Sequence, residues 1–350
     1  MNLPSLLRGL IETIEPVDSE GADDARRRHA TLAIPPGALG HLEELGARLS
    51  AIAGHCPPPA AEHPVLVIAA GDHGVHAQDV SPWPQAVTAA MVATFSAGRA
   101  TANAFAATVG AEVVVVDVGV ATPIADHPRL RRARVRDGTR DLSLEPAMSA
   151  EECASAFAAG VEVARERLAA GADLLLVGDM GIANTTAAAA LIAAYTGWQP
   201  IEVTGRGTGI DDATLERKVA AVTAGVDRHA GDGAWTTLAG LGGLEHAALT
   251  GVLLAGAAAG VPIVLDGVNT GAAALAAVAL APEVVGHLVA GHRSVEPGAS
   301  VALDHLGLRP LLELDLRLGE GTGALLAVPI VRAAAVSLRD VATLDEVLGA

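Results

Sequence analysis

The spacing of hydrophobic residues divides the chain into two regions of different character. Apolar residues recur at helical spacing between residues 6 and 14 and again between residues 42 and 52. This pattern predicts helices in about the first 55 residues. Pro57, Pro58 and Pro59 then break the chain, because proline cannot continue a helix. We therefore expect an N-terminal helical segment that ends near residue 58.

Beyond the prolines, short apolar runs alternate with longer alanine-rich stretches. Short runs that are apolar throughout are typical of strands buried on both faces of a sheet, and alanine favours helix. The alternation predicts an α/β fold with a Rossmann-like, six-stranded parallel sheet and helices on both faces. The predicted strands are Val65–Ala69, Glu112–Val118, Leu174–Val177, Pro262–Leu265, His287–Ala290 and Leu311–Leu316.

The last predicted helix, Ala324–Leu338, has no strand after it. It is therefore expected to return to the N-terminal helices and pack against them. No fixed-period repeat runs through the chain, which argues against a solenoid.

The residues that follow each predicted strand are the first candidates for function, because open parallel sheets bind ligands beyond the carboxyl ends of their strands. All six turns contain glycine and five contain a carboxylate. This is more polar functionality than the capping of a helix requires. The six turns are 71–74, 117–119, 178–186, 266–270, 291–294 and 319–323.

The third of these turns has the composition of an anion site. The sequence predicts a turn over Asp179–Thr186 and a helix that begins at Ala187, which would aim backbone N–H groups and a positive helix end at an anion. A capped turn without a ligand is the alternative, since Asn and Thr are ordinary N-cap residues. The candidate contacts, as side-chain donors or as glycines that admit a ligand, are Gly178, Gly181, Asn184, Thr185 and Thr186.

A second glycine-rich stretch covers residues 205–212 and precedes a predicted helix at 215–222. Its backbone, with Thr208 and Lys218, would close a phosphate cage together with the first stretch. A surface loop before a capped helix is the alternative. The stretch is not a Walker loop, because no GK[ST] sequence follows it.

Glu320 is a lone carboxylate among Gly319, Gly321 and Gly323. Neighbours without side chains would let it approach a reacting atom, and partial burial would raise its pKa toward that of a useful general base. One alternative is that Glu320 caps the final helix. Another is a dinucleotide fingerprint, but that motif requires further strands behind it, and only 26 residues follow Ala324.

Two further features carry weaker signals. The loop Ser81–Gln85 is stiffened by prolines and presents Trp83, which either packs beneath its own loop or stacks on a flat aromatic ligand. His73 and His292 follow predicted strands, but neither belongs to an HxH or HExxH pattern. We therefore predict hydrogen-bonding roles for both histidines and no metal site.

Composition excludes several classes of partner. A net charge of −17 argues against nucleic acid and anionic membranes, because phosphate backbones demand basic patches. Aromatic residues make up only 2% of the chain, so small aliphatic residues must fill the core. Cys56 and Cys153 are too few for a disulfide scaffold. The N-terminus lacks a basic-then-apolar signal pattern, and no run of 18 apolar residues occurs, so a soluble cytoplasmic protein is expected.

Seven segments, in this order along the chain, together carry a resemblance: Asp72–Val75, Val80–Thr88, Val113–Gly119, Gly178–Thr186, Gly205–Gly209, His292–Gly298 and Leu316–Gly323. The ordered set resembles the nicotinate-nucleotide–dimethylbenzimidazole phosphoribosyltransferase family, whose members make the lower-ligand nucleotide of cobalamin. The resemblance covers essentially the whole chain. Asp179 departs from it, because the family often has Glu there.

The resemblance implies an architecture and a reaction. A large α/β phosphoribosyltransferase domain would span residues 59–323, and residues 1–58 and 324–350 would form a small helical domain. The protein would be a homodimer that transfers the phosphoribosyl group of nicotinate mononucleotide to 5,6-dimethylbenzimidazole and releases nicotinate, without cofactor or metal. A phosphoribosyltransferase for another azole or purine base, and a non-catalytic nucleotide-binding module, remain as alternatives.

The resemblance also assigns roles to individual residues. Glu320 is similar to the general base of the family, with Asp179 as a second catalytic carboxylate. Ser294 and Asp266 would contact nicotinate, and Ser81, Trp83 and Gln85 would form the pocket for the acceptor base. The implied phosphate and ribose contacts are Gly178, Gly181, Asn184, Thr185, Thr186, Gly205, Gly207, Thr208 and Lys218.

Overall fold

The computed structural model describes residues 3–349. The predicted N-terminal helical segment is confirmed as three helices, α1 (Ser5–Ile11), α2 (Ser19–Thr31) and α3 (His41–Ala53). Asp18 begins α2 by accepting hydrogen bonds from the backbone N–H groups of Glu20 and Gly21, as an N-cap residue should. Gly54 ends α3 in the left-handed conformation, which glycine adopts without strain.

The rest of the chain alternates between strands and helices around one parallel sheet. Its strands are β1 (Pro64–Gly71), β2 (Glu112–Gly119), β3 (Leu130–Arg132), β4 (Leu174–Met180), β5 (Ile263–Leu265) and β6 (Leu288–Ala290). The α-helices after α3 are α4 (Ala86–Ser96), α5 (Thr101–Val109), α6 (Ala150–Ala169), α7 (Asn184–Thr196), α8 (Pro200–Val203), α9 (Asp212–Arg228), α10 (Ala234–Leu241), α11 (Leu244–Ala258), α12 (Val268–Leu280), α13 (Pro297–Leu306), α14 (Thr322–Asp340) and α15 (Leu344–Leu348).

The strand order in the sheet is β3-β2-β1-β4-β5-β6, and all pairs are parallel. The order reverses between β1 and β4, so the loops after these two strands run in opposite directions along the sheet. Such a switch point is where open α/β sheets bind their ligands. The predicted fold class is therefore confirmed.

One predicted strand is wrong and one real strand was missed. Residues 311–316 form no strand, because Asp315 adopts a positive φ of 54° and Leu314 is exposed, so the chain there is neither extended nor buried. Only Leu312 makes a bridge, to His292. The sixth strand is β3 at the sheet edge, whose sequence Leu-Arg-Arg contains no apolar run.

Both faces of the sheet are covered by helices, as a parallel sheet requires. Alternate residues of β1 pack into two separate clusters, with Val65 and Val67 on one face and Leu66 and Ile68 on the other. Small residues allow the helices to approach closely. A side chain on Gly160 of α6 would overlap the backbone of Ala248 in α11, which agrees with a core poor in aromatic residues.

The final long helix returns to the N-terminal helices, as the sequence predicted. α14 packs against α3 and α5, and its residue Leu338 joins Ala22, Ala25, Ala47 and Ala51 in one buried cluster. By length and composition α14 would suffice to cross a membrane, but 56% of its most apolar window is buried inside the protein. Its apolar residues therefore belong to the core.

Candidate active site

A cavity of about 300 Å³ lies at the carboxyl ends of β4 and β5, at the lower end of the range for small-molecule sites. Loops that are far apart in the sequence form its wall. The structure brings together most of the residues that the sequence singled out. Those that line the cavity are Ser81, Trp83, Asp179, Gly181, Asn184, Thr185, Gly207, Thr208, Lys218, Asp266, Ser294 and Glu320.

Four of the residues to which the resemblance assigns a catalytic or binding role do not line the cavity. Gly178 lies within β4, where an added Cβ would be 2.6 Å from the backbone nitrogen of Gly321. Thr186 is fully buried. Gly205 offers its carbonyl to Lys218, and the amide of Gln85 donates to the carbonyl of His73 at 2.9 Å.

The anion-type turn is shorter than the sequence predicted. β4 continues through Asp179 to Met180, and α7 already begins at Asn184, so the prediction of a turn over Asp179–Thr186 was wrong. The chain reverses within residues 181–183, where Ala183 takes a positive φ of 72°, a costly conformation for a residue with a side chain. The tight turn places the first turn of α7 at the cavity wall.

Lys218 provides a buried cation at one end of the cavity. It is only 2% exposed, and its ammonium donates to the Thr185 hydroxyl at 2.8 Å and to the Gly205 carbonyl at 3.0 Å. Burial lowers the pKa of Lys218 to about 8, against the opposing effect of Glu296. With the N-terminus of α7 beside it, this end of the cavity suits a phosphate group.

The second glycine-rich stretch contributes a loop to this end, residues 205–209, which we call the Gly205 loop. Its Gly207 N–H donates to the Glu296 carboxylate at 2.7 Å. A side chain at Gly205 would overlap the same carboxylate. Glu296 is 7% exposed and directly precedes α13, so it ties the Gly205 loop to the cavity wall.

Another part of the wall comes from residues 319–323, the Glu320 loop, whose Gly319 and Glu320 line the cavity. Glu320 is 6% exposed, has a positive φ of 64°, and leaves its Oε2 buried without a hydrogen-bond partner. Burial, reinforced by the charge of Asp266, raises the pKa of Glu320 to about 7. A carboxylate with this pKa and an unsatisfied oxygen at a cavity is suited to accept a proton near neutral pH.

Asp266, at the end of β5, caps the helix that follows Glu320. Its carboxylate accepts backbone hydrogen bonds from Gly321 at 3.2 Å, Gly323 at 2.7 Å and Ala324 at 3.2 Å. His292 Nε2 lies 3.4 Å from the same carboxylate. The sequence alternative in which Glu320 caps α14 therefore fails, because Asp266 makes those hydrogen bonds.

Asp179, at the end of β4, presents a second carboxyl group to the cavity. Burial raises the pKa of Asp179 to about 8, with further contributions from Glu245 and Asp266. Its Oδ2 accepts a hydrogen bond from the Asn184 amide at 2.6 Å. The neutral form of Asp179 therefore predominates at pH 7, and in that form the group can donate a hydrogen bond to a ligand.

Apolar side chains line another part of the cavity. They come from the loop before α4, from α4 itself and from the end of β4, and they are Val80, Val87, Met91, Met180 and Ile182. Trp83 lies at this part too, half exposed, and its ring N–H donates to the Thr208 hydroxyl at 3.1 Å. Apolar and methionine side chains of this kind accommodate flat aromatic rings.

A buried charge cluster lies directly behind the cavity, and sequence reasoning missed its central residue. The Glu245 carboxylate lies 2.8 Å from His73 Nε2 and 2.8 Å from His246 Nδ1, and all three side chains are buried. Burial raises the pKa of Glu245, but the two imidazoles outweigh it and bring that pKa below its usual range. The signal available was a Glu-His pair at the head of the otherwise apolar helix α11.

Sequence reasoning also missed several residues of the cavity wall. Glu296 lies within a segment that carried the resemblance, but only its contact with Gly207 reveals its role. Asn269 lines the cavity and leaves its Oδ1 buried without a partner. The remaining wall residues that were not singled out include Met91, Met180, Arg206 and Arg317. His292, which the sequence did single out, lines the cavity as well.

A parallel sheet with a switch point and a cavity that holds both a buried lysine and a buried carboxylate suit a transferase of phosphorylated sugars. The family model described as phosphoribosyltransferase matches residues 14–347 of this chain, which is nearly its whole length. The fold and the comparison therefore agree on the class.

The relatives identify the family within that class. Nicotinate-nucleotide–dimethylbenzimidazole phosphoribosyltransferase of Salinispora tropica is 51% identical, over 97% of this chain and 98% of the relative. The enzyme of the same name from Chloroflexus aggregans is 48% identical, over 98% and 97%. The crystal structure of CobT from Thermus thermophilus matches with a TM-score of 0.91 at 49% identity, over 94% of this chain and 98% of that one. This chain belongs to the nicotinate-nucleotide–dimethylbenzimidazole phosphoribosyltransferase family, so the resemblance is confirmed.

Proposed function

We propose that this protein transfers the phosphoribosyl group of nicotinate mononucleotide to 5,6-dimethylbenzimidazole, giving α-ribazole 5′-phosphate and nicotinate. The relatives carry these two substrates in their name. The observation that carries the proposal for this chain is the cavity itself. The buried cation of Lys218, Glu320 with its Oε2 buried and without a hydrogen-bond partner, and a set of apolar side chains all line this one cavity.

In the proposed reaction, the phosphate of the donor binds at Lys218 and the first turn of α7. This contact fixes the anomeric carbon of the ribose relative to Glu320, and fixed geometry supplies much of the rate acceleration. The contacts that support this placement are the hydrogen bonds of Lys218 to Thr185 and Gly205, which hold the ammonium at the cavity wall.

The chemical step requires one base. The bond between the anomeric carbon and the pyridinium nitrogen breaks, and its electron pair stays on nicotinate, which leaves as a neutral ring. One ring nitrogen of dimethylbenzimidazole forms the new bond to the anomeric carbon, and the proton on the other ring nitrogen goes to Glu320. Until it takes this proton, the negative charge of Glu320 also stabilises the positive charge that develops at the anomeric carbon.

The residues keep their proposed roles in this scheme. Glu320 is the base, and Asp179 is a neutral hydrogen-bond donor at pH 7. Ser294 and Asp266 face the nicotinate side, and Ser81 and Trp83 face the acceptor. Gln85 supports that loop through its hydrogen bond to the His73 carbonyl. No cofactor or metal is part of the proposal.

The proposal extends to organisation and location. Residues 1–58 and 324–350 form a small helical domain beside the large domain of residues 59–323. The packing of α14 on α3 supports this division. We further propose a cytoplasmic homodimer. The half-exposed Trp83 and Leu318 at the cavity, 49% and 52% exposed, support coverage by a second copy. Sedimentation equilibrium that gives only the mass of one chain at micromolar concentration would contradict the dimer.

A turnover assay tests the proposed reaction. Purified protein, nicotinate mononucleotide and dimethylbenzimidazole are incubated together, and both products are followed by chromatography. We expect one nicotinate per α-ribazole phosphate, with no added metal. Turnover only with another azole or with adenine would replace the acceptor in the proposal. Donor binding without turnover on any of these bases would indicate a nucleotide-binding module.

A further inference from the structure

Asp266 makes an unusual set of contacts for a residue at a ligand cavity. It is 3% exposed, and both of its carboxylate oxygens accept hydrogen bonds from the backbone that carries Glu320. Oδ2 accepts from Gly321, while Oδ1 accepts from Gly323 and Ala324. Both oxygens of the carboxylate are therefore engaged by the Glu320 loop and the start of α14. The helix gains its N-terminal cap from a strand end 55 or more residues earlier in the chain.

The Glu320 loop needs such a tether because its conformation is strained. Glu320 and Gly321 both have positive φ angles, 64° and 79°, and this region is unfavourable for a residue with a Cβ. The loop also lies against bare backbone. Gly178 admits the Glu320 carbonyl carbon to within 2.7 Å of where its Cβ would lie. A strained loop persists only where its surroundings fix it.

We propose that Asp266 is a positioning residue, which ties the Glu320 loop to the end of β5 and keeps a negative charge beside the Glu320 carboxylate. The proposal rests on the proposed function, in which Glu320 is the general base. It assigns Asp266 a role that acts through Glu320, in addition to the contact with nicotinate that the resemblance implies.

The charges around Glu320 set the expected pH effect. The other ionisable side chains that line the cavity are Asp179, Arg206, Lys218, His292, Glu296 and Arg317, and α5, which packs beside α14, carries none over Thr101–Val109. Asp266 is the charged group that raises the pKa of Glu320, after burial itself. If its charge is removed, Glu320 loses its proton at a lower pH.

The first experiment compares wild-type protein with Asp266→Asn. Asparagine keeps the size and one accepting oxygen, but it removes the charge and turns a donor toward the Gly321 N–H. We expect kcat to fall by about 10²-fold through the displaced base. The acid limb of the kcat/KM profile should move to lower pH. The dissociation constant of the donor is measured separately, because Asp266 also faces nicotinate in the proposed function.

The matched control is Asp18→Asn. Asp18 caps α2 with two backbone hydrogen bonds, far along the chain from the cavity wall. This variant should lower the melting temperature without a change in kcat or in the pH profile. If Asp266→Asn behaves in the same way as Asp18→Asn, then Asp266 is only a helix cap and the proposal fails.

A second readout needs no turnover. Proteins labelled with ¹³C at glutamate carboxyl groups are titrated by NMR without substrates, and the Glu320 signal is the one absent from Glu320→Gln. We expect a titration near pH 7 in the wild type and at lower pH in Asp266→Asn. An unchanged titration overturns the proposal, while wild-type protein without turnover contradicts only the proposed function.

Asp266→Glu keeps the proposal testable if Asp266→Asn does not fold. Glutamate retains the negative charge but moves the carboxylate by one methylene. We expect the pKa of Glu320 to stay near that of the wild type and kcat to fall, because the loop is displaced. Wild-type kcat in Asp266→Glu would contradict the positioning role.

Discussion

The two glycine-rich loops of the cavity are built from similar residues but are held in different ways. The Glu320 loop has Glu320, Gly321, Thr322 and Gly323 buried, and Asp266 holds it with three backbone hydrogen bonds. The Gly205 loop exposes Arg206, Thr208 and Gly209, and it is held by side chains from separate elements, Glu296, Lys218, Arg317 and Trp83. The comparison therefore separates a buried loop held by one carboxylate from a more exposed loop held by several scattered side chains.

The difference fits the roles proposed for the two loops. A general base must lie within hydrogen-bond reach of one proton, and the backbone that carries Glu320 packs against β4 and is capped from β5. A phosphate site needs charge and N–H donors over a wider area. Lys218, the cation of the proposed phosphate site, comes from the helix α9 and not from the loop. The fixed parts of both walls are therefore placed by helices and strand ends.

The largest effect is expected from Gly178→Ala, which should displace the Glu320 loop from β4. The new Cβ would lie 2.6 Å from the Gly321 nitrogen and 2.7 Å from the Glu320 carbonyl carbon, so the backbone of the loop must shift. A misplaced catalytic group costs about 10²-fold in rate. We expect this loss in kcat, with unchanged donor binding measured by calorimetry.

Gly9→Ala is the control for that substitution, because no atom lies within 4 Å of the position of its new Cβ. It should leave kcat unchanged. If Gly178→Ala has a normal kcat per folded molecule, the contact of the Glu320 loop with β4 does not position Glu320.

Lys218→Ala should weaken binding of the donor at the proposed phosphate site. The ammonium is the buried cation of the proposed phosphate site, and a hydrogen bond to a charged group contributes about 1.5–3 kcal/mol. We expect donor binding to weaken by this amount in calorimetry, with a much smaller change in the kcat of donor-saturated protein. Unchanged donor affinity would remove Lys218 from the site.

The pH profile of kcat/KM reports the titration of Glu320 and that of Lys218 in a single experiment. Glu320, with a pKa raised to about 7, must be ionised to act as a base, so activity should rise as pH increases through that value. Lys218, with a pKa lowered to about 8, loses its charge as pH increases further, so activity should then fall. The result is a narrow bell-shaped profile.

Lys218→Arg sharpens this test. Arginine stays charged throughout the accessible range, so the part of the basic fall that Lys218 causes should disappear while the rise on the acid side remains. A smaller fall is still expected where Asp179, with its pKa raised to about 8, loses its proton. A basic limb identical to that of the wild type in Lys218→Arg would show that Lys218 does not contribute to it.

The smallest effect is expected at the contact between the acceptor loop and the Gly205 loop. Trp83 joins them through its hydrogen bond to Thr208, and it is half exposed. Trp83→Ala should change the ranking of benzimidazole, dimethylbenzimidazole and adenine as acceptors, while Trp83→Phe, which keeps a ring, should preserve it. An equal loss for all three acceptors would indicate a purely structural role.

Much of the fold was predictable because apolar runs and alanine-rich stretches reflect local physics. Five strands and the return of α14 follow from these patterns. β3 was not predictable, since Leu130–Arg132 pairs only at the sheet edge and needs no apolar run. The wrong strand at 311–316 had hydrophobic residues, but its Asp315 conformation depends on tertiary packing.

The site was predictable to the extent that the topology determines it. Residues after strand ends meet at one edge of the sheet, which is why the sequence alone could group Asp179, Asp266 and Glu320. The sequence cannot tell whether a glycine admits a ligand or another stretch of backbone, and Gly178 does the latter. Nor could it pair Glu245 with His73, because these residues meet only through the packing of α11 on the sheet.

The most direct test of the central claim is the kcat of Glu320→Gln, measured together with its melting temperature. Glutamine keeps the shape of the side chain but cannot accept the proton, and loss of a general base costs about 10²–10⁴ in rate. We predict this loss in kcat with donor affinity and melting temperature near those of the wild type, because Asp266 and not Glu320 caps α14. Normal kcat with reduced stability would contradict the assignment, and Asp179 would become the next candidate for the base.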